Sequence, residues 1–249
     1  MRLFFHELKG EQLLYWRSRE AAFFTFIFPL LLYVLVSAFY TGDIYGQPAG
    51  RVLLAGLLGY GAATTSFAGI AIFLVIRREN GVLKRLRATP LPPAMYIAAL
   101  LGSTLLVFAI EAAAMIGLAR VTYHVGVPDR LGSLALSLLL GAAAFAALGI
   151  AMAAAIRSAE GASAVVNLVV LPMAFLSGSF GPTRHFPHVL RAIADVLPLT
   201  YLVRLVRSAI VFDQPIWHEP GAIGVVAGWG LVGLVLAVWA FRWEPSESG

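Results

Sequence analysis

Residues 131–156 read LGSLALSLLLGAAAFAALGIAMAAAI and contain no charged side chain between Arg130 and Arg157. A helix needs about 20 consecutive apolar residues to cross a hydrocarbon core of about 30 Å, and this stretch is long enough. Its apolar residues are continuous and do not alternate with a period of two. The pattern therefore predicts a membrane-spanning helix and disfavours a β-barrel strand.

Other charge-free stretches of similar length lie on both sides of this one. They lie between Glu20 and Asp43, Arg51 and Arg77, Arg87 and Glu111, Glu160 and Arg184, and Glu219 and Arg242. The 249 residues are 60% hydrophobic and 12% charged, with a mean hydropathy of +0.85, against roughly 45–50% apolar and 25% charged residues in soluble domains. We therefore expect an all-α integral membrane protein with six spans, at approximately residues 21–41, 52–76, 94–119, 132–156, 162–180 and 220–241.

The whole chain, residues 1–249, predicts one membrane domain, because no internal repeat or low-complexity tract interrupts the pattern of spans. Before the first span, Phe4, Leu8 and Tyr15 share one helical face, which Glu11 interrupts. This ragged amphipathic pattern predicts an N-terminal interfacial helix.

Basic residues flank the predicted spans mostly on one side of the membrane. On that side lie Arg2, Lys9, Arg17 and Arg19 before span one, and Arg77, Arg78, Lys84, Arg85 and Arg87 after span two. The first two loops on the other side contain Arg51 and Arg130. The positive-inside rule therefore predicts a multi-pass protein with both termini in the cytoplasm. The same rule accounts for the net charge of +5, so the charge does not indicate nucleic-acid binding.

An amphipathic loop, RRENGVLKRLRATP, joins spans two and three at residues 77–90. If this loop is helical from Val82, then Val82, Leu83 and Leu86 share one face and the basic residues point elsewhere. Pro90 stops the helix before span three. Such a helix fits a groove on a cytoplasmic partner, with its basic face against acidic protein or lipid headgroups. The alternative is a topology signal that contacts only anionic lipid.

A broken segment follows span five. Its characteristic residues are Ser177, Gly178, Pro182, Pro187, Pro198, Tyr201 and Arg207. Glycine and proline recur too often for a spanning helix, and Arg204 and Arg207 would each cost about 2.5–3.5 kcal/mol at the bilayer centre. We therefore expect an outer re-entrant helical hairpin over residues 181–213. A true span over residues 199–212 is the alternative, and it would place the C-terminus outside.

Two of these segments resemble sequences of ABC-2 type permeases, the membrane subunits of ATP-binding cassette (ABC) exporters for drugs, polysaccharides or lipids. The string RENGVLKRLRATPL at Arg78 to Leu91 is similar to the inner loop of that family. Leu176-Ser177-Gly178, with the prolines that follow, Tyr201 and Arg207, is similar to the family's signature after the fifth span. The likeness in length and span layout covers essentially the whole chain.

The resemblance implies a subunit that pairs with a second permease subunit, as a homodimer or a heterodimer, around a pore in the cell's inner (cytoplasmic) membrane. It implies export of a drug or antibiotic, a lipid or a glycan, and an outer hairpin that caps the exit. It also implies an inner coupling helix at about Glu79 to Arg87, which docks on a separate nucleotide-binding ATPase subunit. The ATPase-coupling residues would be Arg78, Glu79, Asn80, Gly81, Val82, Leu83, Lys84, Arg85, Leu86 and Arg87.

ATP hydrolysis is expected in that partner and not in this chain. A phosphate-binding P-loop ends in Gly-Lys-[Ser/Thr], but the chain's lysines, Lys9 and Lys84, precede Gly10 and Arg85. We therefore expect this chain to bind no cofactor or metal, while the ATPase subunit binds ATP and Mg²⁺.

Two other classes of function remain as alternatives. Ser177 or Ser179 with His185 or His188 could form a Ser-His pair, but no His-Glu-x-x-His motif accompanies them, so the signal for an intramembrane enzyme is weak. An ion-coupled secondary transporter, or a membrane subunit that works without an ATPase, is the other alternative.

Glu111 is the acidic residue well inside a predicted span. Buried membrane carboxylates usually face a bundle interior, a water path or a partner. Glu111 is therefore a candidate for the translocation path. The other interpretations are a structural hydrogen bond to a neighbouring helix and a position near the outer interface.

Overall fold

The computed structural model describes residues 2–40 and 42–240. It is an all-α fold of the membrane type, apart from one short antiparallel hairpin of β1 (Asp43–Ile44) and β2 (Gln47–Pro48). The predicted ends of spans one and six, at residues 41 and 241, lie outside the described residues.

The helices follow one another through the described chain with short connections. In order they are α1 (Arg2–Arg17), α2 (Arg19–Ala22), α3 (Phe28–Phe39), α4 (Ala49–Ala62), α5 (Gly69–Glu79), α6 (Val82–Arg87), α7 (Pro93–Tyr123), α8 (Leu131–Ala155), α9 (Ala159–Leu176), α10 (His188–Ala194), α11 (Pro198–Val211) and α12 (Pro220–Ala240). The π-helical turn Phe23–Ile27 joins α2 to α3, the π-helical turn Ala63–Ala68 joins α4 to α5, and a 3₁₀ turn at Ile216–His218 precedes α12.

Within the described residues, the helices long and apolar enough to cross a membrane number five: Ala49–Glu79, Pro93–Tyr123, Leu131–Ala155, Ala159–Leu176 and Pro220–Ala240. The chain is thus a multi-pass membrane protein. The first of the six predicted spans corresponds to a shorter apolar helix, Phe23–Phe39.

The fifth apolar helix ends in a turn. The sequence predicts a span over approximately residues 162–180, and the structure has α9 at Ala159–Leu176 with a turn after it. Gly178 has a φ of 75°, in the left-handed region that ends helices and that glycine adopts without strain.

The long helix Ala49–Glu79 lies at the centre of the protein. In its most apolar window 72% of the residues are buried, against 22% for α12. Glycines on this helix allow close neighbours: a Cβ at Gly56 would collide with the backbone of Ser179, and a Cβ at Gly59 would lie 2.7 Å from Val203 Cγ2. The segment after α9 therefore packs directly on the central helix.

Candidate functional site

Along the chain, helix α6 follows the central helix and precedes α7. This is the inner loop in which a coupling helix is expected. Helix α6 begins at Val82, after Gly81 takes a left-handed φ of 67°. The range Glu79 to Arg87 that the resemblance implied is therefore too long, since Glu79 is the last residue of α5. The turn at Asn80 and Gly81 separates the two helices.

The two faces of α6 have different surroundings. Leu83 is 0% exposed and Leu86 is half-buried against the hydrophobic core, so the apolar face packs on the protein's own membrane domain. Lys84 and Arg85 are exposed. The surroundings of the Arg87 side chain lie outside the described part of the structure. The face that α6 offers to another molecule is therefore basic.

The residue Arg77, one turn before α6, joins three helices. Its Nη1 donates to Glu11 Oε1 at 2.6 Å and its Nη2 to Glu11 Oε2 at 3.1 Å, and Nη1 also donates to the Tyr96 hydroxyl at 2.6 Å. The guanidinium carbon lies 3.8 Å from the centre of the Phe73 ring, a cation–π distance. Burial raises the pKa of Glu11, and the Arg77 guanidinium opposes this shift. Arg77 thereby ties α1 and α7 to the end of α5.

Arg78 points in another direction, to the end of α8. It is buried, and its guanidinium donates to the carbonyl oxygen of Ala153 at 2.9 Å and to that of Ile156. The last carbonyls of a helix have no partner within the helix and carry its negative dipole end, so a cation is favourable there. Arg78 thus caps the C-terminus of α8.

Glu79 reaches the next helix along the chain. Its Oε2 accepts from the backbone N–H of Ala159 at 2.5 Å, at the first turn of α9. The free N–H groups and positive dipole end of a helix N-terminus favour a carboxylate. The Ser158 hydroxyl accepts from the Gly161 N–H at 3.4 Å, which completes the cap of α9.

Three consecutive residues therefore contact four helices besides their own. Residues 77–79, which we call the α5 junction, contact α1 and α7 through Arg77, α8 through Arg78 and α9 through Glu79. Only Asn80 and Gly81 separate this junction from α6.

The family resemblance implied that Arg78 and Glu79 contact a partner, whereas both side chains contact other parts of this chain. The pair of Arg77 and Glu11 was not predicted from the sequence. The signal was present, because Glu11 is an acid on the apolar face of α1 and such a residue needs a partner when that face packs. The partner could not be identified, since it lies 66 residues away.

The outer motif also forms a cluster. The Ser177 hydroxyl donates to Met173 O at 2.6 Å and accepts from the Thr200 hydroxyl at 3.3 Å. Arg207 Nη2 donates to Gly178 O at 3.4 Å. The structure thus brings the start of the motif against α11.

The other members of the outer motif shape its helices. Pro187 is the residue before α10, Pro198 is the first residue of α11, and Pro182 lies in the loop after α9. The Tyr201 hydroxyl donates to Asp195 O at 2.7 Å, across the turn between the two helices. These contacts set the geometry of the α10–α11 hairpin.

Glu111 is enclosed within the protein, with 1% of its surface exposed. The Thr65 hydroxyl, in the π-helical turn, donates to its Oε2 at 2.6 Å. Its Oε1 has no hydrogen-bond partner in residues 2–40 and 42–240, and a Cβ at Gly61 would lie 2.6 Å from it. The contact fits the interpretation as a structural hydrogen bond, and a role in the translocation path stays a prediction.

Comparison with known proteins gives one family. The profile of the family described as ABC-2 type transporter matches residues 2–211. The match includes α1, the α5 junction, α6 and the outer motif, and it ends before α12. No curated protein matches the chain.

Proposed function

This chain belongs to the ABC-2 type transporter family and is an ABC-type permease, and on that premise we propose that it is the membrane subunit of an exporter driven by a separate ATPase. The observation that carries the proposal is α6 with its junction: a basic face free to contact a partner, joined directly to residues that hold four other helices.

In the proposed topology the apolar helix Phe23–Phe39 is the first of six spans, and both termini are cytoplasmic. The α-helix α11, Pro198–Val211, has 14 residues, so at about 1.5 Å per residue it measures about 21 Å and is too short to cross a core of about 30 Å. This supports an outer re-entrant hairpin of α10 and α11 in the inner (cytoplasmic) membrane.

The proposed cycle runs through α6. An acidic surface on each ATPase subunit contacts Lys84 and Arg85 of a permease subunit, and ATP with Mg²⁺ binds in the ATPase. Closure of the ATPase pair moves α6, and the α5 junction passes the displacement to α1, α7, α8 and α9. Two permease subunits then alternate between inward-open and outward-open arrangements around a shared path.

The proposed substrate is an amphiphile, such as a drug or antibiotic, a lipid or a glycan. Among the described residues, Glu111 is the carboxylate of the candidate spans that lies away from their ends, and it is enclosed by α4, the π-helical turn and α7. A path poor in charge suits a molecule whose bulk is uncharged.

The experiment is a co-purification of the tagged protein from its native membrane in mild detergent, with ATP hydrolysis measured on the product. We expect the wild type to retain a P-loop ATPase and the Lys84→Glu/Arg85→Glu variant to lose it. The matched control is Lys9→Glu/Arg17→Glu, the same change of charge on exposed residues of α1, which should retain the ATPase.

Two results would contradict the proposal. If the correctly inserted wild type retains no ATPase, the exporter assignment fails and ion-coupled transport becomes the hypothesis to test. If both double variants lose the ATPase equally, contact depends on overall charge and not on α6.

A further inference from the structure

Two arginines contact the same tyrosine ring near the outer motif. The guanidinium carbons of Arg184 and Arg207 each lie 5.3 Å from the centre of the Tyr45 ring, a cation–π distance. The two carbons are therefore at most twice that distance apart. We call Arg184 and Arg207 the arginine pair.

The arginine pair has no acidic partner within the described part of the chain. Other arginines have one: Arg51 Nη2 lies 3.3 Å from Asp213 Oδ2. Arg204 Nε lies 3.8 Å from Glu219 Oε2. Asp43, in β1, is exposed and makes no ion pair with another described residue. Two positive charges beside one ring repel each other, so an anion from another molecule is favourable between them.

Most donors of the arginine pair are also free. Arg207 Nη2 donates to Gly178 O at 3.4 Å, but its buried Nε has no partner in residues 2–40 and 42–240. Arg184 is exposed, and among the same residues it makes no hydrogen bond. A buried donor without an acceptor is unfavourable, and an oxygen atom of a bound anion would satisfy it.

The turn that holds the tyrosine is strained for such a residue. The strands β1 and β2 are joined through Tyr45 and Gly46, whose φ angles are 58° and 70°. Positive φ at both positions is typical of a type I′ turn, which favours Asn-Gly, whereas a bulky side chain is uncommon there. Strained residues persist at ligand sites. The contact of the ring with both arginines accounts for a tyrosine at this position.

The arginine pair lies at about the level of lipid headgroups in the proposed membrane. Helix α9 has 18 residues, or about 27 Å at 1.5 Å per residue, close to a hydrocarbon core of about 30 Å. Glu79, beside α6, contacts the first turn of α9. Gly178, which Arg207 contacts, follows the other end. The pair is therefore about one hydrocarbon thickness from α6.

We propose that the arginine pair and Tyr45 bind a phosphate group. Guanidinium N–H groups match the geometry of phosphate oxygens, and a phosphate monoester has three acceptor oxygens and enough charge for both arginines. The bound group joins the loop after α9 to α11 and to the β1–β2 hairpin. Its source is a phospholipid headgroup or a soluble phosphate ester. The site is remote from α6, so the inference does not depend on an ATPase partner.

The experiment is isothermal titration calorimetry of the purified protein in an uncharged detergent and a phosphate-free buffer. The probes are dihexanoyl phosphatidic acid, inorganic phosphate, and dihexanoylglycerol, which has the same chains without phosphate. We expect phosphatidic acid to bind and dihexanoylglycerol not to bind. Tighter binding of phosphatidic acid than of inorganic phosphate identifies the lipid headgroup as the source, and equal binding identifies a soluble phosphate ester.

Arg184→Gln removes one guanidinium from the site. Because this side chain is exposed and makes no hydrogen bond to the described residues, the variant should fold normally. It should raise the Kd of phosphatidic acid about tenfold, since a charge-assisted hydrogen bond is lost. The matched control is Arg120→Gln, an exposed arginine in the last turn of α7, which should leave the Kd unchanged.

Tyr45→Asn separates binding from stability. Asparagine is favoured in this turn, so the Tm should not fall. The ring between the guanidinium groups is lost, so the Kd should rise about threefold.

Three results would overturn the proposal: equal binding of phosphatidic acid and dihexanoylglycerol, the same Kd for Arg184→Gln and Arg120→Gln, or an unchanged Kd in Tyr45→Asn. Each of them leaves the exporter proposal standing, because none of these measurements involves the ATPase.

Discussion

Removal of the Glu11 carboxylate tests whether the α5 junction holds α1 on the membrane domain. The side chains of Arg77 and Glu11 are 10% and 3% exposed, and their two hydrogen bonds measure 2.6 and 3.1 Å. Truncating one partner of a buried ion pair costs about 3–5 kcal/mol, because the other charge stays buried without compensation. Arg77 keeps its contacts with Tyr96 and Phe73, so we expect about 3 kcal/mol for Glu11→Ala.

The assay is thermal unfolding of the purified protein in detergent, followed by tryptophan fluorescence. For a chain of 150–250 residues, about 2–4 °C of Tm corresponds to 1 kcal/mol, so Glu11→Ala should lower the Tm by about 6–12 °C. The control is Glu20→Ala, which removes an exposed carboxylate of α2 and should change the free energy of unfolding by less than about 0.5 kcal/mol.

A double variant, Glu11→Ala with Arg77→Met, isolates the pair. Arg77→Met alone leaves the Glu11 carboxylate uncompensated and should also cost about 3 kcal/mol. The double variant leaves no uncompensated charge and should be no less stable than Glu11→Ala alone, so the two substitutions should couple by about 3 kcal/mol. If Glu11→Ala unfolds like Glu20→Ala, or if the effects of the two substitutions add, the junction does not depend on this ion pair and the reasoning is wrong.

Three further substitutions test other contacts by the same unfolding assay. Arg78→Met leaves two carbonyls at the end of α8 without a donor and should destabilise the protein by about 2 kcal/mol, with partial recovery in Arg78→Lys; an unchanged Tm would contradict the cap. Gly56→Ala should destabilise the protein by more than about 2 kcal/mol, because the added Cβ would collide with the backbone of Ser179. The control is Gly224→Ala, which has open space around it and should be neutral or up to about 1 kcal/mol stabilising. Thr65→Val removes the hydrogen-bond donor to the buried Glu111 carboxylate and should destabilise the protein by about 1–3 kcal/mol. The control Thr64→Val loses only bonds to carbonyls of its own helix and should cost less than about 1 kcal/mol. Equal costs for the two variants would argue against the buried contact.

The membrane class and the family could be predicted from the sequence. Insertion into a membrane depends on hydropathy summed over about 20 neighbouring residues, and a sequence shows such local information directly. Five of the six predicted apolar stretches correspond, among the described residues, to helices long and apolar enough to span a membrane. The resemblance of the inner loop and the outer motif to ABC-2 type permeases is confirmed by the family profile over residues 2–211.

The sequence left the start of the inner-loop helix open. Its apolar face was drawn for a helix that begins at Val82, where the structure begins α6, whereas the family resemblance implied a range of about Glu79 to Arg87. Breaks caused by glycine and proline were visible, although the sequence did not show that Gly178 would end α9 as early as Leu176.

Only the tertiary structure decided which face of α6 is free and where the charges beside it point. The sequence contains an amphipathic helix and three charged residues before it, but burial of Leu83 depends on the helices that pack against it. The bond between Glu11 and Arg77 joins residues 66 positions apart, and Arg78 reaches carbonyls 75 and 78 positions away. Hydropathy selects the segments that enter the membrane, whereas side-chain partners depend on how those segments pack, and that arrangement is not encoded in any one window of sequence.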